Sequence, residues 1–78
     1  MNDMRRLPDA ELEVMKAVWD CEPPVSRSEL EYILKDSHPM APTTLLTLLS
    51  RLAERGFVSI EKAGRSARYT PLVSREAY

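Results

Sequence analysis

Residues 42–56, PTTLLTLLSRLAERG, constrain the fold of this 78-residue chain more than any other stretch. Leu45, Leu48, Leu49 and Leu52 recur at i, i+3, i+4 and i+7, the spacing of one buried stripe on an α-helix. At about 100° per residue, Thr43, Thr47, Ser50 and Glu54 fall on the opposite side with Arg51 beside them. Pro42 suits the first helical position, where its missing N–H costs nothing. Gly56 follows Arg55 as the expected left-handed C-cap. A short, polar, uncrowded outer face can lie close against another surface, with a DNA groove as the leading candidate. A helix merely half buried at a protein surface would show the same division.

What precedes this helix is also helical. Residues 1–7 read as a loose start with Arg5 and Arg6 exposed. Pro8-Asp9 opens a first helix, with Asp9 as N-cap and Glu11 and Glu13 in the first turn, where the helix dipole favours negative charge. Leu12, Met15, Val18 and Trp19 form its apolar stripe, and Pro23-Pro24 prevents its continuation. Val25 reads as a short extended segment. Ser26 and Glu29, three apart, form a capping box that opens a second helix, with Leu30, Ile33 and Leu34 facing inward. Residues 36–41 then make a turn containing Pro39, longer than a tight four-residue connection.

After Gly56 the period changes from 3.6 to 2. Val58 and Ile60 alternate with Ser59 and Glu61, residues 62–65 turn, and Ala67 and Tyr69 alternate with Arg68 and Thr70 until Pro71. This is a β-hairpin with a basic tip. Three helices followed by a hairpin predict a mainly α winged helix-turn-helix with a two- or three-stranded wing. The third helix, about 43–55, would enter the major groove, and the wing, about 57–71, would lie beside it. Residues 1–73 form this domain. Ser74 resembles another N-cap, so residues 74–78 read as the start of a further, truncated C-terminal helix.

Charge supports this division. The net charge is −1, but residues 1–50 carry −4 and residues 51–78 carry +3. A basic face on an acidic domain can still hold phosphates, because binding depends on the local field. No apolar run approaches the ~20 residues of a membrane span, and no signal-peptide pattern is present. A soluble cytoplasmic protein is expected. Cys21, the single cysteine, excludes an internal disulfide.

Catalytic and metal-binding patterns are absent. His38, the only histidine, has no partner set for acid–base or nucleophilic work. Cys21 and His38 cannot close a zinc site without borrowed ligands. The glycines, Gly56 and Gly64, do not make a phosphate-cradling loop. Trp19 and Tyr69 lie on the apolar phase of their elements and read as core. No cofactor and no enzyme activity are expected.

Residues 7–15 (LPDAELEVM) followed by Val18-Trp19 resemble the opening of the penicillinase-repressor family, the BlaI/MecI/CopY type. Thr44, Thr47-Leu48-Leu49, Arg51-Leu52 and Gly56 resemble its recognition helix, and Gly64-Arg65 with Tyr69-Thr70-Pro71 its wing. The resemblance spans nearly the whole chain. It implies a bacterial repressor that binds a palindromic operator as a homodimer, paired through a C-terminal helical region. In the family, release is by proteolysis in the β-lactam-responsive branch and by copper in another. The chain departs from the pattern in stopping at Tyr78, before a pairing region or cleavage site. It lacks a cysteine-rich metal tail, and it carries Leu46 where the family is often polar.

The residues expected at DNA are Thr43, Thr44, Leu46, Thr47, Ser50 and Arg51 on the third helix. Ser26 and Arg27 at the start of the second helix, and Lys62, Arg65 and Arg68 on the wing, complete the set. Hydroxyls can bond phosphates or base edges, and threonine methyls can touch thymine methyls. Arg51 has an alternative partner in Glu54 or the first helix. Two rivals share the fold: a winged helix used for protein–protein contact, and a regulator with an effector site. A basic wing together with a small polar helix face favours DNA.

Overall fold

The computed structural model describes residues 7–78, and for Ala63 the backbone alone. The elements run α1 (Asp9–Asp20), β1 (Val25–Ser26), α2 (Arg27–Ser37), α3 (Pro42–Glu54), β2 (Val58–Ala63) and β3 (Ser66–Pro71). Strands β2 and β3 form the expected hairpin. Strand β1 joins the other side of β3, so the wing is an antiparallel three-stranded sheet in the order β1-β3-β2. This is the winged helix-turn-helix architecture anticipated from the period change.

The core lies where the three helices meet the inner face of the sheet. Val14, Met15 and Val18 of α1 meet Leu30 of α2, Leu45, Leu49 and Leu52 of α3, and Val25, Val58 and Tyr69 of the sheet. Tyr69 pairs with both Val25 and Ile60 across the ladders, so one strand position ties the sheet to the helices. Each helix presents its apolar side to this centre because burial of such a stripe is the main source of helix stability in a domain this small.

Several local expectations are corrected. Asp9 is not the N-cap of α1. Pro8 occupies that position without a side-chain cap, and its carbonyl accepts the first helical bond from the Leu12 N–H at 2.9 Å. Asp9 and Glu11 are therefore the first-turn acids, and Glu13 lies beyond them, 3.6 Å from Lys16. Leu7 is not part of a loose start but belongs to the core, whereas Arg5 and Arg6 lie outside the described residues. The buried stripe of α1 is Val14, Met15, Ala17 and Val18. Leu12 and Trp19 pack half-buried at its margins, because α1 is covered by α2, α3 and β3 together. Ile33 and Leu48 are likewise half-buried.

Helix α2 continues to Ser37, with the His38 N–H still donating to the Leu34 carbonyl at 2.7 Å. The α2–α3 connection is thus residues 38–41, shorter than the pattern of prolines suggested. The capping box of α2 is present as expected: the Glu29 N–H donates to Ser26 Oγ and the Ser26 N–H donates to Glu29 Oε1. Pro42 opens α3, and Gly56 sits at φ +83, the left-handed conformation that stops the helix. The hairpin turn narrows to Gly64-Arg65, with Gly64 at φ +66. Ser74 Oγ accepts from the Ala77 N–H at 3.0 Å, and residues 74–78 close one turn.

Candidate nucleic-acid interface

The two faces of α3 separate as the spacing requires. Leu45, Leu49 and Leu52 are buried, while Thr43, Thr44, Leu46, Thr47, Ser50 and Arg51 are exposed together along the outer face. Thr43, Thr44, Thr47, Leu48 and Arg51 border one shallow hollow, and Thr47, Ser50, Arg51, Glu54 and Arg55 border the next. Arg51 forms no ion pair among the described residues. Neither Glu54, which borders the same hollow, nor α1 pairs with it here.

A second group meets beside this face. Ser26, Arg27 and Ser28 begin α2; Leu46 projects from α3; Lys62, Arg65, Ser66, Ala67, Arg68 and Tyr69 come from the wing. Together they line a depression of about 370 Å³. The first-turn N–H groups of a helix carry partial positive charge, so the α2 N-terminus adds to the side-chain cations around it. Ser26 is half committed: its hydroxyl and backbone hold the capping box with Glu29. Arg27 lies 3.2 Å from Glu31, one turn along α2; the arginine is about half exposed, whereas the Glu31 Oε2 that it meets is buried. A pair between two residues at a surface is worth little, so Arg27 can still turn its remaining N–H groups to a phosphate.

The wing cations are unpaired. Among the described residues, Lys62, Arg65 and Arg68 have no carboxylate within ion-pairing distance, although Glu61 is the cross-strand partner of Arg68. Arg68 donates weakly to its neighbour's carbonyl, 3.4 Å away. Tyr69, at the base of the depression, is buried, and burial pushes its phenol above the ordinary value of 10.0 while the Arg27 guanidinium opposes that shift. It is a core residue whose ring floors the site.

The structure brings six of the eleven residues expected at DNA, Ser26, Arg27, Leu46, Lys62, Arg65 and Arg68, around one depression, while Thr43, Thr44, Thr47, Ser50 and Arg51 border the two hollows along α3. The sequence reading missed Ser28 and Ser66, which line the same depression. Ser28 carried a signal, since it stands in the first turn of a capped helix. Ser66 carried none, because its place follows from the strand register. The reading also missed that Glu11 is buried and holds Arg55 at 2.8 Å across 44 positions, bracing the end of α3 against α1. Among the described residues, no three His, Cys, Asp or Glu side chains converge as metal ligands, and no helix is long and apolar enough to cross a membrane. Cys21 is half-buried, and burial together with Glu29 and Asp20 raises its thiol above its ordinary value.

The fold has counterparts among known proteins. The penicillinase repressor of Bacillus licheniformis is 33% identical over 78 residues, covering all of this chain and 60% of its own length. The transcriptional regulator BlaI of Mycobacterium tuberculosis is 32% identical over 76 residues, covering 97% of this chain and 55% of its own. The chain thus spans little more than half the length of these curated relatives. A solution structure of the DNA-binding domain of the repressor BlaI superposes with a TM-score of 0.79 at 33% identity, covering all of this chain and 94% of that one. A second, of the monomeric form of Bacillus licheniformis BlaI in complex with the blaP half-operator, gives 0.75 at the same identity and coverage. The penicillinase repressor family matches residues 7–78, which is every described residue and every element of the winged helix. With relatives above 30% identity running the length of the same domain, the chain belongs to the penicillinase repressor family.

Proposed function

We propose that this chain is the DNA-binding domain of a bacterial transcriptional repressor that reads one half of a palindromic operator. Helix α3 lies in the major groove with Thr43, Thr44, Leu46, Thr47, Ser50 and Arg51 toward the bases. Ser26 and Arg27 at the α2 N-terminus, and Lys62, Arg65 and Arg68 on the wing, hold the flanking phosphates. The observation that carries this reading is that Lys62, Arg65 and Arg68, without ion pairs among the described residues, share one depression with the α2 N-terminus and Leu46 of α3, whose small polar residues border further hollows. Family membership supports it, as does the likeness to a relative solved with its half-operator.

Phosphate contacts position such a protein and base contacts specify its sequence. Residues 1–73 do the reading, and residues 74–78 begin the connection to a region that pairs two copies in the cytoplasm. Tethering two half-site contacts raises affinity by ~10²–10⁴ over one, so a single domain binds a half-site weakly. No catalytic step is involved.

An amide-shift titration with a mixed-sequence duplex at about 50 mM and then about 200 mM salt tests this directly. Shifts concentrated at residues 43–51 and 62–68, weakening as salt rises, are expected, since each neutralised phosphate contributes about 0.9 to the salt slope. An unperturbed spectrum at the lower salt would overturn DNA binding and leave a protein-interaction module on the same fold.

A further inference from the structure

Leu46 stands out on the outer face of α3. The other leucines of the helix are buried or half-buried, whereas Leu46 is 37% exposed. A lone exposed leucine is ordinary; the surroundings of this one are not. It projects into the depression rimmed by Arg27, Lys62, Arg65 and Arg68, where the local field selects a polyanion. An apolar side chain inside a cationic rim therefore needs an apolar group carried by that polyanion. The major groove of DNA offers one such group, the C5 methyl of thymine.

The next residue presents the complementary chemistry. The Thr47 hydroxyl donates to the Thr43 carbonyl at 3.0 Å, so its proton is committed within the helix. The outward Oγ1 is left as an acceptor. A phosphate oxygen, itself only an acceptor, has nothing to give it, whereas the N6 amino group of adenine can donate to it. Adjacent positions 46 and 47 thus offer an apolar group and an acceptor. Leu46 lines the α2–wing depression and Thr47 the hollows along α3, so the matching methyl and amino groups belong to neighbouring A·T base pairs in the major groove.

We propose that Leu46 is a specificity-determining residue that selects thymine by packing on its methyl group, with Thr47 accepting from an adenine amino group alongside. This rests on the DNA-binding reading above and adds to it the identity of a base that the domain prefers.

The test starts from half-site duplexes selected by this chain from a random pool. Each thymine is then replaced singly by deoxyuracil, which removes the methyl and nothing else. At one thymine the replacement should weaken binding about fourfold, the equivalent of one buried methyl-sized group. In Leu46→Ala the same replacement should have no effect, while Leu46→Met, which keeps an apolar contact, retains the sensitivity. Because the side chain is 37% exposed, Leu46→Met should unfold at the parent temperature and Leu46→Ala only slightly below it, still folded at the temperature of the binding measurement. Equal uracil sensitivity in Leu46→Ala and the parent, or no sensitive thymine, overturns the assignment. An amide spectrum left unperturbed by duplex DNA at about 50 mM salt, in the titration described above, overturns the DNA-binding reading itself.

Discussion

Two regions of this small domain treat charge in opposite ways. Around α1 and the C-terminal turn, polar groups are matched. Glu11 holds Arg55, and Arg75 sits 2.9 Å from Asp20 with its guanidinium over the Trp19 ring. The Trp19 indole N–H donates to the Val73 carbonyl at 2.8 Å, and the Leu7 N–H donates to the Tyr78 hydroxyl. Trp19 and Phe57 both contact the Tyr78 ring. On the α3 and wing side, Arg51, Lys62, Arg65 and Arg68 form no ion pair among the described residues. A paired cation has its field cancelled locally, whereas an unpaired one keeps it for a ligand. The matched side stabilises the domain; the unmatched side is the one proposed above to meet DNA.

The contrast can be broken from its centre outward. Leu49→Ala removes a fully buried side chain shared by both sides and should cost about 2–5 kcal/mol, lowering the urea midpoint and half-site binding together. Combined Arg65→Ala and Arg68→Ala should act on one side only. The salt slope of duplex binding should fall by about 1.8 if each arginine holds one phosphate, with stability within about 0.5 kcal/mol of the parent. A fall in stability with an unchanged slope would place these arginines on the matched side instead. Trp19→Phe is the converse: loss of the bond to Val73 should cost about 1 kcal/mol by urea denaturation and leave the salt slope alone.

Tyr69 supplies the subtlest test, because it lies between the two sides. Its phenol is raised by burial, so the unfolded chain loses this proton first as the solution becomes alkaline. The stability it contributes is complete below the ordinary phenol range near 10.0 and is lost as pH rises through the folded value. Tyr69→Phe should flatten that alkaline decline in urea-unfolding measurements. An unchanged decline would assign it to other groups.

Much of this was legible in the chain itself. The heptad-like run of leucines in α3, the capping box at Ser26 and Glu29, Pro42, Gly56 and the switch to alternation at Val58 are local signals, each set by the backbone geometry of a few neighbouring residues. They defined three helices, a hairpin and the outer face of α3. The margins were less legible. Leu12 and Trp19 read as buried from periodicity alone, yet α1 is covered from several directions, and burial there follows the packing of α2, α3 and β3 rather than a single stripe. Asp9 read as a cap because its side chain suits the role, but Pro8 was already placed to provide the carbonyl.

By itself, then, the sequence determined the order of elements, the division of α3 into two faces and the surplus of positive charge after residue 50, all properties of neighbours along the chain. Only the tertiary structure decided that β1 joins the wing, that Glu11 is buried against Arg55, and that Arg27 and Leu46 share one depression with the wing cations. Those outcomes join residues tens of positions apart. No local propensity encodes such meetings; they follow from how three helices and a twisted sheet close around one core.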